Sequence, residues 1–109
     1  MAKNLRTYAA FWSYYLKEHR KPATRGLHYI GSALALAFLV LGAAVQPGFL
    51  FFMPIAGYTF AWIGHFLVEK NRPATFTYPM WSLYSDFRMF GLWITRRLGP
   101  HLKRAGVAN

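Results

Sequence analysis

Cysteine is absent from the 109 residues, and acids are scarce, three Asp+Glu against thirteen Lys+Arg. Without cysteine there is no disulfide scaffold, no thiolate metal site and no Cys nucleophile. Charge is also missing from one long stretch. From Tyr29 to Val68 there is no Asp, Glu, Lys or Arg, and apart from tyrosine only His65 is ionisable. What is present is apolar: 55% of residues are hydrophobic and 19% aromatic, under a formal net charge of +10. That is too apolar for a disordered chain and too basic for an ordinary soluble domain. A soluble domain of this size buries only about two-thirds of the surface its unfolded chain exposes, so this much Phe, Trp, Tyr and Leu points to a bilayer.

Within the uncharged stretch, residues 29–45 and 49–68 form apolar runs of seventeen and twenty residues. As helices they reach about 26 and 30 Å, against a hydrocarbon core of about 30 Å. Gln46-Pro47-Gly48 joins them as a helix stop and a turn, which makes the two runs antiparallel neighbours. A buried soluble hairpin is the competing reading, but so small a domain has little to wrap around helices apolar on all sides. A cleavable signal peptide fits poorly, because the first run begins only at residue 29, after a polar and aromatic lead.

All thirteen cations flank the runs. Lys3, Arg6, Lys17, Arg20, Lys21 and Arg25 precede them; Lys70, Arg72, Arg88, Arg96, Arg97, Lys103 and Arg104 follow, and the link carries none. The positive-inside bias therefore places both termini of an integral membrane protein in the cytoplasm. Cations that border apolar spans suit anionic lipid headgroups, and they argue against nucleic acid as the partner.

Both flanks carry amphipathic patterns. In residues 4–20, Leu5, Tyr8, Phe11, Trp12 and Tyr15 recur at helical spacing, which predicts a helix on the headgroup boundary or packed against the other flank. In residues 80–98, Met80, Leu83, Tyr84, Phe87, Phe90, Ile94 and Leu98 form one stripe, with Asp86 and Arg88 read as marking its wet side. Those two charges would cost about 2.5–3.5 kcal/mol each inside a bilayer, so this helix too is expected to be interfacial. Gly99-Pro100 reads as its stop, and residues 99–109 as a basic tail with a solvated His101. The fold expected is an all-α membrane protein, a two-span helical hairpin flanked by two amphipathic helices. The segments Leu16–Thr24 and Leu67–Thr75 echo one another, each a helix stopped by a cationic turn and a proline, and the shared role accounts for the likeness.

Three of the four histidines fall near one membrane face. His19 and Glu18 end the first helix, His28 sits at the entry of the first span, and His65 and Glu69 lie at the exit of the second. Antiparallel spans put His28 and His65 at similar depth, and the turn at Arg20–Pro22 can fold His19 over the same spot. Imidazoles with a carboxylate and no thiolate suit Fe(II), Zn(II), Mn(II) or Cu(II). The plainer alternatives are hydrogen-bonded interfacial histidines and a Glu69 paired with Arg20, Arg25 or Arg72.

The same residues carry a resemblance. Tyr15-x3-His19-x2-Pro22-x2-Arg25-x2-His28-x2-Gly31 and Gly64-His65-Phe66-x2-Glu69-Lys70-Asn71-Arg72-Pro73-Ala74 resemble the two signature stretches of a small membrane-protein family. Its characterised eukaryotic members are Fe(II)-dependent 2-hydroxy-fatty-acid dioxygenases, which shorten a 2-hydroxy acyl chain by one carbon in α-oxidation. The stretch Tyr78-Pro79-x-Trp81-Ser82-Leu83-x2-Asp86-Phe87-Arg88-Met89 is similar to the short, bacterial-type branch, and the likeness covers residues 8–95. The resemblance implies His19, His28 and His65 as iron ligands and catalytic residues, with Glu69 as a fourth ligand or as a partner of a ligand imidazole. Arg20, Arg25 or Arg72 would meet the substrate carboxylate or a lipid headgroup. Longer members carry further hydrophobic sequence between the two stretches, and any ligand supplied there has no counterpart in this chain.

Two functions follow. The first is a membrane-embedded, Fe(II)-dependent dioxygenase acting on long-chain 2-hydroxy acids. The alternative is a non-catalytic membrane protein that binds anionic lipid or a protein partner through its basic flanks, with Gly31, Gly42, Gly57 and Gly64 as helix-packing sites. Two spans with little mass outside them leave room for a homo-oligomer in either case.

Overall fold

The computed structural model describes residues 5–107. Helix α1 (Tyr8–Lys17) is capped by Thr7, whose Oγ1 accepts from the Ala10 amide at 3.2 Å. Residue 4, the first of the expected 4–20 helix, lies outside the described residues. Helix α2 (Pro22–Ala44) opens on a proline at its first position, where a missing N–H costs nothing. It therefore starts seven residues before the apolar run and carries Arg25 and His28 as helical residues. The turn at Val45–Gln46 leads into a 3₁₀ turn (Pro47–Phe51), helix α3 (Phe52–Ile63) and a π-helical turn (Gly64–Glu69). After a short 3₁₀ turn (Ala74–Phe76) come α4 (Pro79–Ile94) and α5 (Leu98–Arg104). Among the described residues there is no strand.

Helices α2 and α3 form the antiparallel hairpin. A Cβ on Gly31 would stand 3.0 Å from the Gly57 carbonyl oxygen, and one on Gly64 would stand 3.1 Å from Thr24 Cγ2. The absence of side chains at these two points is what lets the backbones approach. We expect Gly31→Val to cost about 1–3 kcal/mol, read as earlier unfolding in micelles, because the contacted atom is backbone and cannot turn aside. Gly26→Ala is the control, since nothing lies within 4 Å of its added methyl. Equal loss in both variants would contradict this account of the packing.

The hairpin is turned inside out relative to a protein dissolved in water. It buries Thr24, Arg25, His28, Ser32 and His65, while Val40, Val45, Phe51 and Leu67 are each 63–72% exposed. Exposed large apolar side chains of this extent mark a surface suited to an apolar surrounding. Pro22–Ala44 and Pro47–Glu69 are 23 residues each, long and apolar enough to cross a membrane.

A second core lies beside the end of the hairpin that carries His28 and His65. There α1 buries Phe11, Trp12, Tyr15 and Leu16 against α4 and α5, with Met89, Leu98 and Leu102 on the other side. The apolar stripe of α1 thus packs on the other flank. Three features differ from the sequence reading. Helix α4 ends at Ile94, where Thr95 Oγ1 donates back to the Gly91 carbonyl and Arg96 turns left-handed at φ 61°. The segment 99–109 is a basic tail by composition, yet residues up to Arg104 are helical, and Leu102, Ala105 and Val107 belong to the core. Gly99-Pro100 falls in the first turn of α5, where the amides have no intrahelical partner and proline is tolerated. His101 is not solvated as expected: it is half-buried, and its Nδ1 accepts from Trp12 Nε1 at 3.1 Å.

Candidate metal centre

Three segments bring one imidazole each to a common point. His19 comes from the turn after α1, His28 from the second turn of α2, and His65 from the π-helical turn that ends the hairpin. All three are buried, at 1%, 5% and 2% exposure. His19 Nε2 lies 3.1 Å from His28 Nε2, which lies 3.2 Å from His65 Nε2. One nitrogen from each ring fits within a sphere of contacts no longer than 4.8 Å.

The outer nitrogens fix how the rings are protonated. His19 Nδ1 donates to the Tyr15 carbonyl oxygen at 2.7 Å. His65 Nδ1 donates to Asn71 Oδ1 at 2.7 Å, and the Asn71 amide is oriented by giving its Nδ2 protons to the Glu18 carbonyl at 2.9 Å. Asp86 Oδ1 faces His28 Nδ1 at 3.3 Å. Each ring therefore turns Nδ1 outward to its partner and presents Nε2 to the neighbouring rings. Burial, and after it the neighbouring His28 and His65, hold His19 well below the ordinary imidazole range, which keeps that ring neutral. Imidazole nitrogens this close share either a proton or a cation. Nitrogens about 2.1 Å from a shared ion stand roughly 3.0–3.4 Å apart, so the His19–His28 and His28–His65 spacings suit a common ion, and the donor set suits a metal in its chemistry.

Asp86 is the residue the sequence reading placed elsewhere. The structure turns it to the centre, where its carboxylate faces His28 and accepts a hydrogen bond from the Tyr15 hydroxyl. Tyr15 is fully buried, and its phenol is raised well above its usual range by burial first and by Asp86 second, so it remains a donor. A lone acid among the aromatics of α4 was the available signal, since an ionisable group in an apolar segment requires a partner.

Glu69 stands apart from the three rings. Its Oε1 accepts from the Lys21 amide at 2.7 Å and from Thr24 Oγ1 at 2.9 Å, tying the end of the hairpin to the N-terminus of α2. The buried Arg25 donates from Nη1 to the His19 and Arg20 carbonyl oxygens at 2.8 and 2.9 Å, which braces the turn that carries His19. Arg20 and Arg72 are exposed, and Arg72 lies over the Phe76 ring. Beside the rings is a recess of about 20 Å³, room for about one water-sized atom, which Ser82 and Asp86 also line.

With this geometry in view, comparison with protein families is decisive. Residues 5–98 match the family model described as 2-hydroxy-palmitic acid dioxygenase Mpo1-like. The chain belongs to this family. No curated protein and no solved structure matches it. All three histidines, Asp86 and the residues that orient them lie inside the Mpo1-like match, whereas α5 lies beyond it from Gly99 onward.

Proposed function

We propose that this Mpo1-like protein is a membrane-embedded, Fe(II)-dependent dioxygenase that shortens a long-chain 2-hydroxy acid by one carbon. The observation that carries the reading is the convergence of one nitrogen from each of three imidazoles in a buried site. His19, His28 and His65 would hold the ion. Bound Fe(II) would supply a redox-active Lewis acid for O₂ and for the hydroxyl and carboxylate oxygens of the substrate. Zinc would satisfy the same nitrogens but has no redox chemistry to offer a dioxygenase.

Overall, R–CH(OH)–COO⁻ and O₂ give R–COO⁻, CO₂ and H₂O. The bond between the carboxyl and carbinol carbons breaks, the carboxyl carbon leaves as CO₂, and the carbinol carbon becomes the new carboxylate. The chain's own part is positional. Tyr15, Asn71 and Asp86 hold the three rings by their Nδ1 edges, Arg25 fixes the loop of His19, and the surrounding aromatics exclude water.

In this reading the hairpin crosses the bilayer twice, with both termini and the histidine centre on the cytoplasmic side. The support is the confinement of every Lys and Arg to the flanks. Arg20 and Arg72, exposed at that edge, meet anionic lipid headgroups.

The test is anaerobic purification followed by addition of Fe(II), O₂ and 2-hydroxypalmitate. The expected result is near one iron per chain, and one CO₂ and one C15 acid for each O₂ consumed. Folded protein that takes up no iron, or holds it without forming product, would overturn the reading.

A further inference from the structure

A second, larger cavity opens at the same centre. It has a volume of about 300 Å³ and shares His28 and Asp86 with the metal site. Ser32 and Ala35 continue its floor, one and two turns beyond His28 on the same face of α2. Met53 and Gly57 of α3, Phe87 of α4 and Leu50 line it as well. Polar groups are gathered at the histidine end. Beyond Ser32 the slot is apolar, and it lies alongside the part of the hairpin that is apolar enough to cross a membrane.

An orphaned hydroxyl marks the polar end. Ser82 is 4% exposed and lines the small recess beside the three rings, and its Oγ has no hydrogen-bond partner among the described residues. A buried hydroxyl left unpaired costs as much as a lost hydrogen bond, so its partner is expected to arrive with a ligand.

We propose that this slot holds the hydrocarbon tail of a free 2-hydroxy acid whose oxygens lie at the histidine centre, one of them accepting from Ser82 Oγ. The proposal rests on the dioxygenase reading for the identity of the head. The lining selects the occupant: polar groups at His28, Ser32 and Asp86 beside an otherwise apolar slot suit a single acyl chain with a compact oxygen-bearing head. A tail threaded between α2, α3 and α4 enters sideways from the bilayer, and each methylene it buries strengthens binding about fourfold.

Gly57 provides the clean perturbation, because nothing lies within 4 Å of a Cβ built there. Gly57→Leu starts from an open Cβ position and places its branched end in the slot that Gly57 lines. If it displaces three methylenes, the preference for 2-hydroxypalmitate over 2-hydroxyhexanoate should fall roughly 50-fold in kcat/KM. Iron content should not change. Ser82→Ala should weaken both acids together, by about threefold to tenfold.

The direct test is photolabelling of the wild-type protein in lipid nanodiscs with 2-hydroxypalmitate carrying a diazirine near its methyl end. Labels on Leu50, Met53 or Ala35, removed by excess unlabelled acid, are the expected result. Labels spread over the lipid-facing residues, or unchanged chain-length preference in Gly57→Leu, would overturn the slot. The readouts also separate the two claims. Competed labelling in the slot without turnover refutes the dioxygenase and keeps the site, and turnover with labels elsewhere does the reverse.

Discussion

His65→Ala should give a folded protein that no longer holds iron and forms no shortened acid. The loss in iron affinity should exceed the roughly 10–100-fold that removal of an outer partner of a metal ligand costs, because a donor itself is gone. Stability separates this from simple misfolding. In the wild type, Fe(II) at about 100 times its Kd should stabilise the fold by roughly 2.7 kcal/mol. His65→Ala should show none of that gain, and His28→Ala should behave alike. Thermal melts with and without Fe(II), combined with metal analysis, check both. An iron-dependent rise in melting temperature that persists in His65→Ala would refute the assignment.

Asp86→Asn should lower iron affinity and kcat/KM by about 10–100-fold, with the fold retained. The substitution preserves size and leaves an oxygen for the Tyr15 hydroxyl, but it removes the negative charge 3.3 Å from His28 Nδ1. That charge holds the ring proton on the outer nitrogen and makes Nε2 the better donor. Tyr15→Phe removes only the hydrogen bond that steadies the carboxylate, so its effect should be the smaller of the two. Competition titration with a chromogenic chelator measures the affinities. Less than a twofold change in Asp86→Asn would show that Asp86 does not act through His28.

Much of this architecture is legible before any coordinates. The uncharged stretch from Tyr29 to Val68 announces the hairpin, because two long apolar runs split by Gln46-Pro47-Gly48 read as two antiparallel helices. Antiparallel helices then equalise the depth of His28 and His65. The rest is harder to read for physical reasons. Glu69 follows His65 by four residues, which shares a face on an α-helix; the π-helical turn over Gly64–Glu69 bonds i to i+5 and breaks that register. It also ends in Lys70 at φ 61°, and the reversal returns Asn71 to the ring of His65, a contact no helical spacing foretells. Asp86 reads as a wet-side charge only while its neighbours are unknown. Once Tyr15 and His28 pack against α4, the same carboxylate is a partner for both. Gly99-Pro100 reads as a stop, yet it is compatible with the start of α5.

The central claim is that one Fe(II) is held jointly by His19, His28 and His65. X-ray absorption at the iron edge of anaerobically loaded protein tests it most directly. The account predicts a first shell containing three imidazole nitrogens at about 2.1 Å, reduced to two in His28→Ala if any iron remains bound. A shell of oxygens alone, or one unchanged by that substitution, would contradict it.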